Sequence, residues 1–381
     1  MNSIFKLKDI IQSTNYKNTD NLIDKVMGIN INKEFMPTIG NITKKNLTRY
    51  KIIYKDDFAC NLMHIGRDEV LVIAKYNENN PAIVSSSYKT FKIKNENVLP
   101  DYLSLYFKRP VMDRMSWFYT DSSIRGSLAW NDFVEFEITI PPLSIQQKII
   151  KINNLLNDQI EIINNINNNL SKLSTIIHSE FIKKMENNKE SIFKDLNELG
   201  NIVMGQSPKG ESYNYDNIGL PLINGAADYE NGFLKAQKYT SDPKKTADKN
   251  DLIFCIRATI GLLVISDKKY CLGRGVAGIT NINQTYKEYS FHLIKSSIEN
   301  FKRAATGSVI SGISRKDIEN IVVKNPSNDE IKEYHSIQKP IFDKIEDNRL
   351  EINKLTKLRD TLLPKLMSGE IDVSKINFDL E

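Results

Sequence analysis

The sequence predicts an α+β protein in which two globules are joined by two long antiparallel coiled-coil helices, with internal duplication and pseudo-twofold symmetry. Three observations predict this fold. Two segments repeat apolar residues at coiled-coil spacing, each follows a region rich in strand and turn signals, and matching residues recur at one fixed shift. The predicted domains are residues 1–142, 143–185, 186–326 and 327–381.

The first long helix is predicted between residues 145 and 182. Apolar residues occupy every seventh position, namely Ile149, Leu156, Ile163, Leu170 and Ile177. Three residues later, the complementary positions are held by Ile152, Ile166 and Leu173. This alternation is typical of a coiled-coil seam, and a helix of about 38 residues is roughly 57 Å long. Asparagine dominates its other faces, and because asparagine is a weak helix former, the helix needs a partner.

A second helix of the same kind is predicted between residues 334 and 367. Its apolar residues are Ile337, Ile341, Ile345, Ile352, Leu355, Leu362 and Leu366. Gln159 interrupts the first stripe and Asn348 interrupts the second. Polar residues in such seams commonly specify register, and we expect both to do so.

A duplication accounts for the two helices. Asp132 matches Asp317 and Pro141 matches Pro326, both at a shift of 185 residues. At the same shift, Leu170 falls on Leu355 and Ile177 on Leu362. A period this long indicates a duplicated globule with its helix, not a solenoid.

Length and composition leave the function class open. The 381 residues suffice for two domains, and the net charge of +5 permits nucleic-acid binding without requiring it. Three dispersed cysteines suggest neither a disulfide framework nor a zinc site. Without a signal-like N-terminus or a long apolar run, the chain is expected to be soluble and cytoplasmic, with no membrane association.

Both globules are predicted to mix short strands with one helix each. The helices are expected at 99–115 and 290–303. Strands are predicted at residues 50–54, 70–74, 88–93, 133–140, 202–204, 252–256, 262–265, 276–280 and 318–323. Pro141 and Pro326 mark the exits into the long helices.

No catalytic or metal-binding pattern emerges from the sequence. The four histidines form no metal-binding pair, and the glycines of residues 273–278 precede a predicted strand where a dinucleotide site needs a helix. We therefore predict a chain without catalytic residues, bound metal or its own cofactor.

Polar residues beside glycines and turns are the candidates for contact with DNA. Arginine can pair with guanine, asparagine and glutamine with adenine, and lysine and serine with phosphate. The candidates are Lys44, Lys45, Arg49, Arg67, Ser86, Tyr88, Arg125, Gln206, Ser207, Lys209, Asn224, Arg257, Arg274 and Ser308.

Several segments resemble the specificity subunits of type I restriction-modification systems. Residues 140–149 resemble that family's passage into its central conserved helix, and residues 361–371 resemble its C-terminal ending. Residues 205–208, 257–261 and 273–277 are similar to one common type of recognition domain. Asn325-Pro326-Ser327 departs from the pattern, since it lacks the double proline of the first copy.

The resemblance implies two target-recognition domains that each read one half of a bipartite DNA target. It also implies modification subunits that use S-adenosylmethionine to methylate adenine, and restriction subunits that use ATP and Mg to cleave DNA. Since one turn of DNA is about 34–36 Å, helices of the predicted length suit two half-sites separated by an unread gap.

The sequence leaves three alternatives open. The chain could be the recognition subunit of a type IIB system, which neighbouring genes would distinguish. It could instead be a coiled-coil adaptor whose globules bind proteins. Such an adaptor would show no salt-dependent affinity for duplex DNA, whereas phosphate contacts make affinity fall steeply with salt. The third alternative is an enzyme with an unrecognised active site, which methyl transfer by the purified chain alone would indicate.

Overall fold

Both predicted long helices form, over Leu143–Glu186 and Asn328–Ser368. The structure, a computed structural model, describes residues 3–38, 44–63, 65–121, 126–186, 192–196, 199–230, 232–257, 259–304 and 312–374. The chain divides into two units, Met1–Gln159 with Leu355–Glu381, and Ile160–Lys354. Each unit contains a globule and one part of each long helix.

The first unit is built around an antiparallel four-stranded sheet in the order β2-β9-β6-β7. Smaller antiparallel pairs, β1-β10, β3-β4 and β5-β8, surround it. The elements are β1 (Ser3–Lys6), α1 (Leu7–Ile10), β2 (Ile11–Thr14), β3 (Met27–Ile29), β4 (Phe35–Pro37), a 3-10 turn (Lys44–Arg49), β5 (Lys51–Ile53), β6 (Phe58–Asn61), α2 (Ile65–Asp68), β7 (Val72–Lys75), β8 (Ala82–Val84), β9 (Lys89–Ile93), α3 (Pro100–Phe107), α4 (Pro110–Phe118), α5 (Trp130–Val134), β10 (Glu137–Ile140) and the first part of α6 (Leu143–Glu186).

Aromatic side chains fill the core between this sheet and its helices. The rings of Phe58 and Phe91 stack with centroids 5.2 Å apart, and Phe107 packs edge-on against Phe58. Burial of such side chains is the main stabilising contribution to a core of this size.

The second unit repeats this sheet as β12-β22-β19-β20 and adds a five-stranded sheet, β13-β17-β14-β21-β18. Its elements are the remainder of α6, β11 (Ile192–Asp195), β12 (Asn201–Met204), β13 (Tyr213–Asn214), β14 (Leu220–Ile223), β15 (Tyr229–Glu230), β16 (Phe233–Leu234), β17 (Lys238–Thr240), β18 (Thr246–Ala247), β19 (Leu252–Cys255), β20 (Leu263–Ile265), β21 (Tyr270–Leu272), β22 (Val276–Thr280), α7 (Lys287–Ala304), α8 (Arg315–Glu319), β23 (Val322–Asn325) and most of α9 (Asn328–Ser368). Short 3-10 turns cover Gly210–Ser212, Ala226–Asp228 and Gln284–Tyr286.

The two four-stranded sheets have the same topology. In each, the first strand pairs with the last, and the last pairs with the second, which pairs with the third, all antiparallel. α5 and α8 are displaced by 185 residues, as are β10 and β23. The duplication predicted from the sequence is therefore present in the fold.

Three predicted elements of the globules were wrong. The helix expected at 99–115 is two helices, because Pro110 lacks the N–H group that would continue α3 and begins α4 instead. The strands expected at 133–140 and 318–323 each begin as a helical turn, α5 or α8, before the strand. Ser314 and Asp317 form a capping box at α8, which favours the turn over the strand.

The long helices pair antiparallel within the second unit. Asn167 on α6 contacts Asn348 on α9, whereas His178, later on α6, contacts Tyr334, earlier on α9. The less exposed positions alternate by four and three residues on both helices. In this unit they are Ile160, Ile163, Asn167, Leu170, Ser174, Ile177 and Phe181 on α6, and Ile331, Tyr334, Gln338, Ile341, Ile345, Asn348 and Ile352 on α9.

In the first unit the same alternation continues on both helices. It includes Ile149, Asn153 and Leu156 on α6, and Leu355, Arg359, Leu362 and Leu366 on α9. Arg359 donates a 2.9 Å hydrogen bond to the side chain of Asn157. The ten residues proposed to pair the helices thus all lie at half-buried or buried positions of the seams.

Two of the three complementary positions predicted for the first stripe were wrong, because Ile166 and Leu173 are exposed, whereas Ile152 is half-buried. Ile337 of the second stripe and Gln159 are exposed as well. The seam steps four residues from Ile149 to Asn153, where the sequence suggested three. Polar residues are tolerated at these seam positions because their side chains form hydrogen bonds, as Asn167 does with Asn348.

Candidate nucleic-acid interface

The turn between β21 and β22, residues 273–275, is held by backbone hydrogen bonds from three other segments. Gly273 donates to the carbonyl of Ile223 at 2.8 Å, and Ile256 donates to the carbonyl of Gly275 at 3.0 Å. Gly205 donates to the carbonyl of Val276 at 3.0 Å. The ends of β12, β14 and β19 therefore meet at this turn.

Glycine is required where these segments meet. A Cβ atom on Gly275 would lie 2.1 Å from the carbonyl oxygen of Asn224, and one on Gly205 would lie 2.1 Å from that of Gly273. Both obstacles are backbone atoms, so a side chain would force the segments apart. We call this packing of Gly205, Asn224, Gly273 and Gly275 the glycine junction.

Four of the predicted DNA-contacting side chains emerge beside the glycine junction. These are Gln206, Asn224, Arg257 and Arg274, and all four are exposed. Gln206 donates its backbone N–H to Leu272 at 2.9 Å, while Arg257 follows Ile256 in the chain. The structure thus brings together residues separated by up to 68 positions, and we call the set the polar turn surface.

The two arginines of this surface have exposed side chains. Neither Arg257 nor Arg274 makes an ion pair with another residue in the described ranges of the chain. A guanidinium fork without an internal carboxylate partner can donate two parallel hydrogen bonds to the edge of a base or to a phosphate.

Two of the remaining candidates of the second unit, Ser207 and Lys209, follow Gln206 closely in the chain. Ser207 is half-buried, and the exposed Lys209 lies 3.7 Å from a carboxylate oxygen of Glu211. Ser308 lies outside the described residues.

In the first unit, the corresponding turn between β8 and β9 covers residues 85–88. Lys51 donates a 2.6 Å hydrogen bond to the carbonyl of Tyr88, and the hydroxyl of Tyr88 accepts one from the backbone of Ile29 at 3.3 Å. Burial, followed by the charge of Lys89, lowers the pKa of Lys51. Tyr88 and Lys51 therefore brace the turn, and Ser86 is exposed at its tip.

Arg49 lies at the same end of the β5-β8 pair as Ser86. In the β5-β8 pair, Lys51 is opposite Val84, so the chain before Lys51 runs beside the chain after Val84. Arg49 is exposed. The side chains of Lys44 and Lys45, which begin the preceding 3-10 turn, lie outside the described residues, as does Arg125.

Arg67 occupies a different position from the other candidates of the first unit. It lies on α2, exposed, with its guanidinium 2.7 Å from the carboxylate of Asp68. The neighbouring Gly66 packs on Gly126, where a Cβ atom would come within 2.6 Å of the Gly126 Cα. A phosphate would have to compete with Asp68 for this arginine.

Two residues that shape these surfaces, Lys51 and Asp228, were not predicted from the sequence. The carboxylate of Asp228 accepts hydrogen bonds from the backbone N–H groups of Asn224, at 2.7 Å, and Gly225, at 3.3 Å. An aspartate three residues after Gly225 has the spacing of a helix N-terminal cap, so this signal could have been read. Lys51 carries no such signal.

The described residues contain no group of three or more His, Cys, Asp or Glu side chains placed to hold a metal ion. No helix among them is both long and apolar enough to span a membrane.

Two topologically equivalent globules, each carrying exposed polar turns and followed by a long helix, define a duplicated recognition scaffold. The family model described as the type I restriction modification DNA specificity domain matches residues 2–172 and, separately, residues 188–357. The chain therefore belongs to this family and contains two copies of its domain.

Individual relatives agree with this assignment. The chain is 28% identical over 401 residues to a putative type I restriction enzyme MjaX specificity subunit from Methanocaldococcus jannaschii, covering 97% of this chain and 93% of that protein. It is 23% identical over 381 residues to the MjaIX specificity subunit of the same organism, covering 88% and 87%. The crystal structure of a type I restriction-modification system S subunit from M. genitalium has the same fold, with a TM-score of 0.58, 14% identity and 96% coverage of both chains.

Proposed function

We propose that this chain is the DNA-recognition subunit of a type I restriction-modification complex and reads a bipartite target, one part with each globule. Residues 1–142 and 186–326 would be the two reading domains. The observation that carries the proposal is the duplicated globule with exposed polar turns at equivalent places. One such turn alone is common in proteins, whereas its repetition in two domains of this family supports two reading sites.

The chemistry of the polar turn surface suits the edges of base pairs. Arg257 and Arg274 can each fork onto guanine, while Asn224 and Gln206 can each match adenine. The glycine junction lets backbone N–H groups approach a phosphate, and Lys209 can add charge beside it. Ser86, Tyr88 and Arg49 form the corresponding set in the first unit.

Partner subunits would supply the chemistry. The modification subunits would bind S-adenosylmethionine and methylate adenine, and the restriction subunits would use ATP and Mg for cleavage, with no cofactor on this chain. The whole complex would act in the cytoplasm, where its DNA substrate is found.

An apolar stripe on α6 supports the docking of a partner helix. In the second unit Ile162, Ile166, Leu173 and Ile176 are between 42% and 60% exposed. They share a stripe within about a quarter of a turn, separate from the seam that faces α9. A long helix with two apolar faces suits a third helix, and we assign this face to a modification subunit.

Methylation mapping tests the proposal in the cell. The gene would be deleted from its host or expressed with the adjacent modification gene, and adenine methylation would be mapped across the genome. We expect one two-part motif, present only when this chain is present. If the same motif remained methylated after deletion, the proposal would be wrong.

Salt dependence separates DNA recognition from a protein adaptor. Phosphate contacts release counterions, so the affinity of the complex for duplex DNA should fall steeply between low and moderate salt. An adaptor would show no affinity of this kind.

A further inference from the structure

Asp228 connects the polar turn surface to the segment that follows it. Its side chain is only 6% exposed. One carboxylate oxygen accepts hydrogen bonds from the N–H groups of Asn224 and Gly225, and the other accepts one from Gln237 at 3.2 Å. A single buried carboxylate thus joins the start of this segment to its end.

The main chain of Asp228 closes the same segment. Its N–H group donates to the carbonyl of Gly225 at 3.1 Å, and its carbonyl accepts from Lys235 at 2.7 Å. The path of residues 224–237 is therefore tied at one residue, and the hairpin β15-β16 projects between the tied ends.

Asn224 is the part of this segment that reaches the glycine junction. Its Cα lies 3.1 Å from the position of a Cβ on Gly273, and its carbonyl lies against Gly275. A shift of the Asn224 backbone towards this turn must therefore move Gly273 and Gly275, which flank Arg274. Because pairing with the edges of bases requires side chains to be placed closely, such a shift would change recognition.

We propose that Asp228 is a positioning residue for base recognition by the second globule, acting through the backbone of Asn224. The inference rests on the proposed function and deepens it. Asp228 is buried and does not touch DNA, so its effect appears as discrimination between sequences.

The chain offers a matched control in Asp251. This carboxylate is 7% exposed and also accepts backbone N–H groups from two segments, those of Asp248 and Asn281. It precedes β19, whereas Arg257 follows that strand, so Asp251 lies at the end of the sheet away from the polar turn surface. The two aspartates share chemistry and burial but differ in location.

The experiment uses the full-length chain and a pool of randomised double-stranded DNA. Wild type, Asp228→Asn, Asp251→Asn and Arg274→Ala would each select binding sequences, which would be read by sequencing. Asparagine keeps the shape but replaces an acceptor oxygen by a donor, so the N–H groups at that position lose their partner. Thermal unfolding would be measured in parallel.

We expect two sequence blocks for the wild type and for Asp251→Asn. Asp228→Asn should lose discrimination by about tenfold in one block, the same block that Arg274→Ala affects. Non-selective affinity for DNA at low salt should stay within about twofold of wild type, since the phosphate contacts remain.

Two results would overturn the proposal while leaving the proposed function intact. Asp228→Asn could retain both blocks unchanged, or Asp251→Asn could weaken the same block as much as Asp228→Asn does, as expected for a merely structural carboxylate. If the wild type selected no sequence, the proposed function itself would fail. Should Asp228→Asn not fold, Asp228→Glu carries the test, because it keeps the acceptor but displaces it, and full retention of both blocks would again overturn the proposal.

Discussion

The side-chain amide of Asn348 donates a 2.8 Å hydrogen bond to the amide oxygen of Asn167 across the two long helices. Both residues occupy seam positions that would otherwise be apolar, and the Asn348 side chain is buried. A paired amide at one level of a seam disfavours other alignments, because a shifted register leaves both amides without partners.

Replacing one member of this pair should destabilise the protein. In Asn348→Leu, the amide oxygen of Asn167 would lose its hydrogen-bond donor at a partly buried site, at a cost of about 1–3 kcal/mol. Replacing both asparagines by leucine should recover or exceed the wild-type stability. Urea unfolding would measure the change, with the exposed Asn165→Ala as a control within about 0.5 kcal/mol of wild type. Additive losses in the double variant would contradict the pairing.

Two stacked histidines predict a loss of stability in acid. His178 and His292 lie with ring centroids 4.8 Å apart, and burial lowers the pKa of His178 to about 4 and that of His292 to about 3. Proximity to His178 is the second cause for His292. Each is therefore neutral when folded at a pH where the unfolded chain, with an ordinary pKa of 6.5, begins to bind a proton.

The stability contributed by the neutral histidines is fully present above pH 6.5 and is lost as the pH falls towards the folded pKa values. We expect the free energy of unfolding to decrease by about 1 kcal/mol per histidine at pH 5.5 relative to pH 7.5. The double variant His178→Gln with His292→Gln should show a weaker pH dependence in urea unfolding. The hydrogen bond between Glu288 and His335 is present in both the wild type and the double variant. An unchanged dependence of the unfolding free energy on pH would therefore rule out His178 and His292 as its source.

A methyl group in the glycine junction should disrupt it. In Gly275→Ala the new Cβ would meet a backbone carbonyl at 2.1 Å, so the turn or the Asn224 segment must move. We expect a loss of about 1–3 kcal/mol in unfolding free energy, together with weaker sequence discrimination. Gly210→Ala, in the same unit, has no atom within 4 Å of its new Cβ and should leave both quantities near wild type. Equal behaviour of the two variants would show that the junction tolerates a side chain.

Arg274 should read one position of one half-site. If it pairs with a base, Arg274→Ala will weaken binding to the target by about 1–3 kcal/mol and relax selection at that position alone. Competition binding with single base-pair variants of the methylated motif would measure this. Lys209→Ala serves as the comparison, since loss of a phosphate contact lowers affinity for all sequences alike. A uniform loss with Arg274→Ala would make it a phosphate contact as well.

Charge on the apolar stripe of α6 should block assembly without affecting DNA recognition. Leu173→Glu places a carboxylate where 46% of the leucine is exposed, so the isolated chain should remain folded. Binding of the purified modification subunit should fall at least about tenfold, because an unpaired charge would be buried in the contact. Lys172→Glu, at the adjacent exposed position, controls for the change in charge. If both variants assembled normally, the stripe would not be the docking face.

The pattern of residues predicted the long helices well because a seven-residue repeat is a local signal. The repeat did not predict the seam positions between the apolar ones, because Asn153, Asn167 and Ser174 are polar. Their burial is favourable only because each has a hydrogen-bond partner, which a local pattern does not show. The pattern also failed at Pro110 and at α8, where the chemistry of one residue, an absent N–H or a serine cap, overrides an apolar pattern.

The sequence by itself determined that this protein is duplicated and that each copy ends in a long helix. It also carried the resemblance to the type I specificity subunits. The duplication and the long helices follow from the spacing of apolar residues, whereas the resemblance rests on short motifs such as residues 140–149 and 361–371. Only the tertiary structure decided that Gln206, Asn224, Arg257 and Arg274 share one surface and that Asp228 supports it. Such proximity comes from backbone contacts between strands distant in the chain, where glycines permit an approach that no local pattern records.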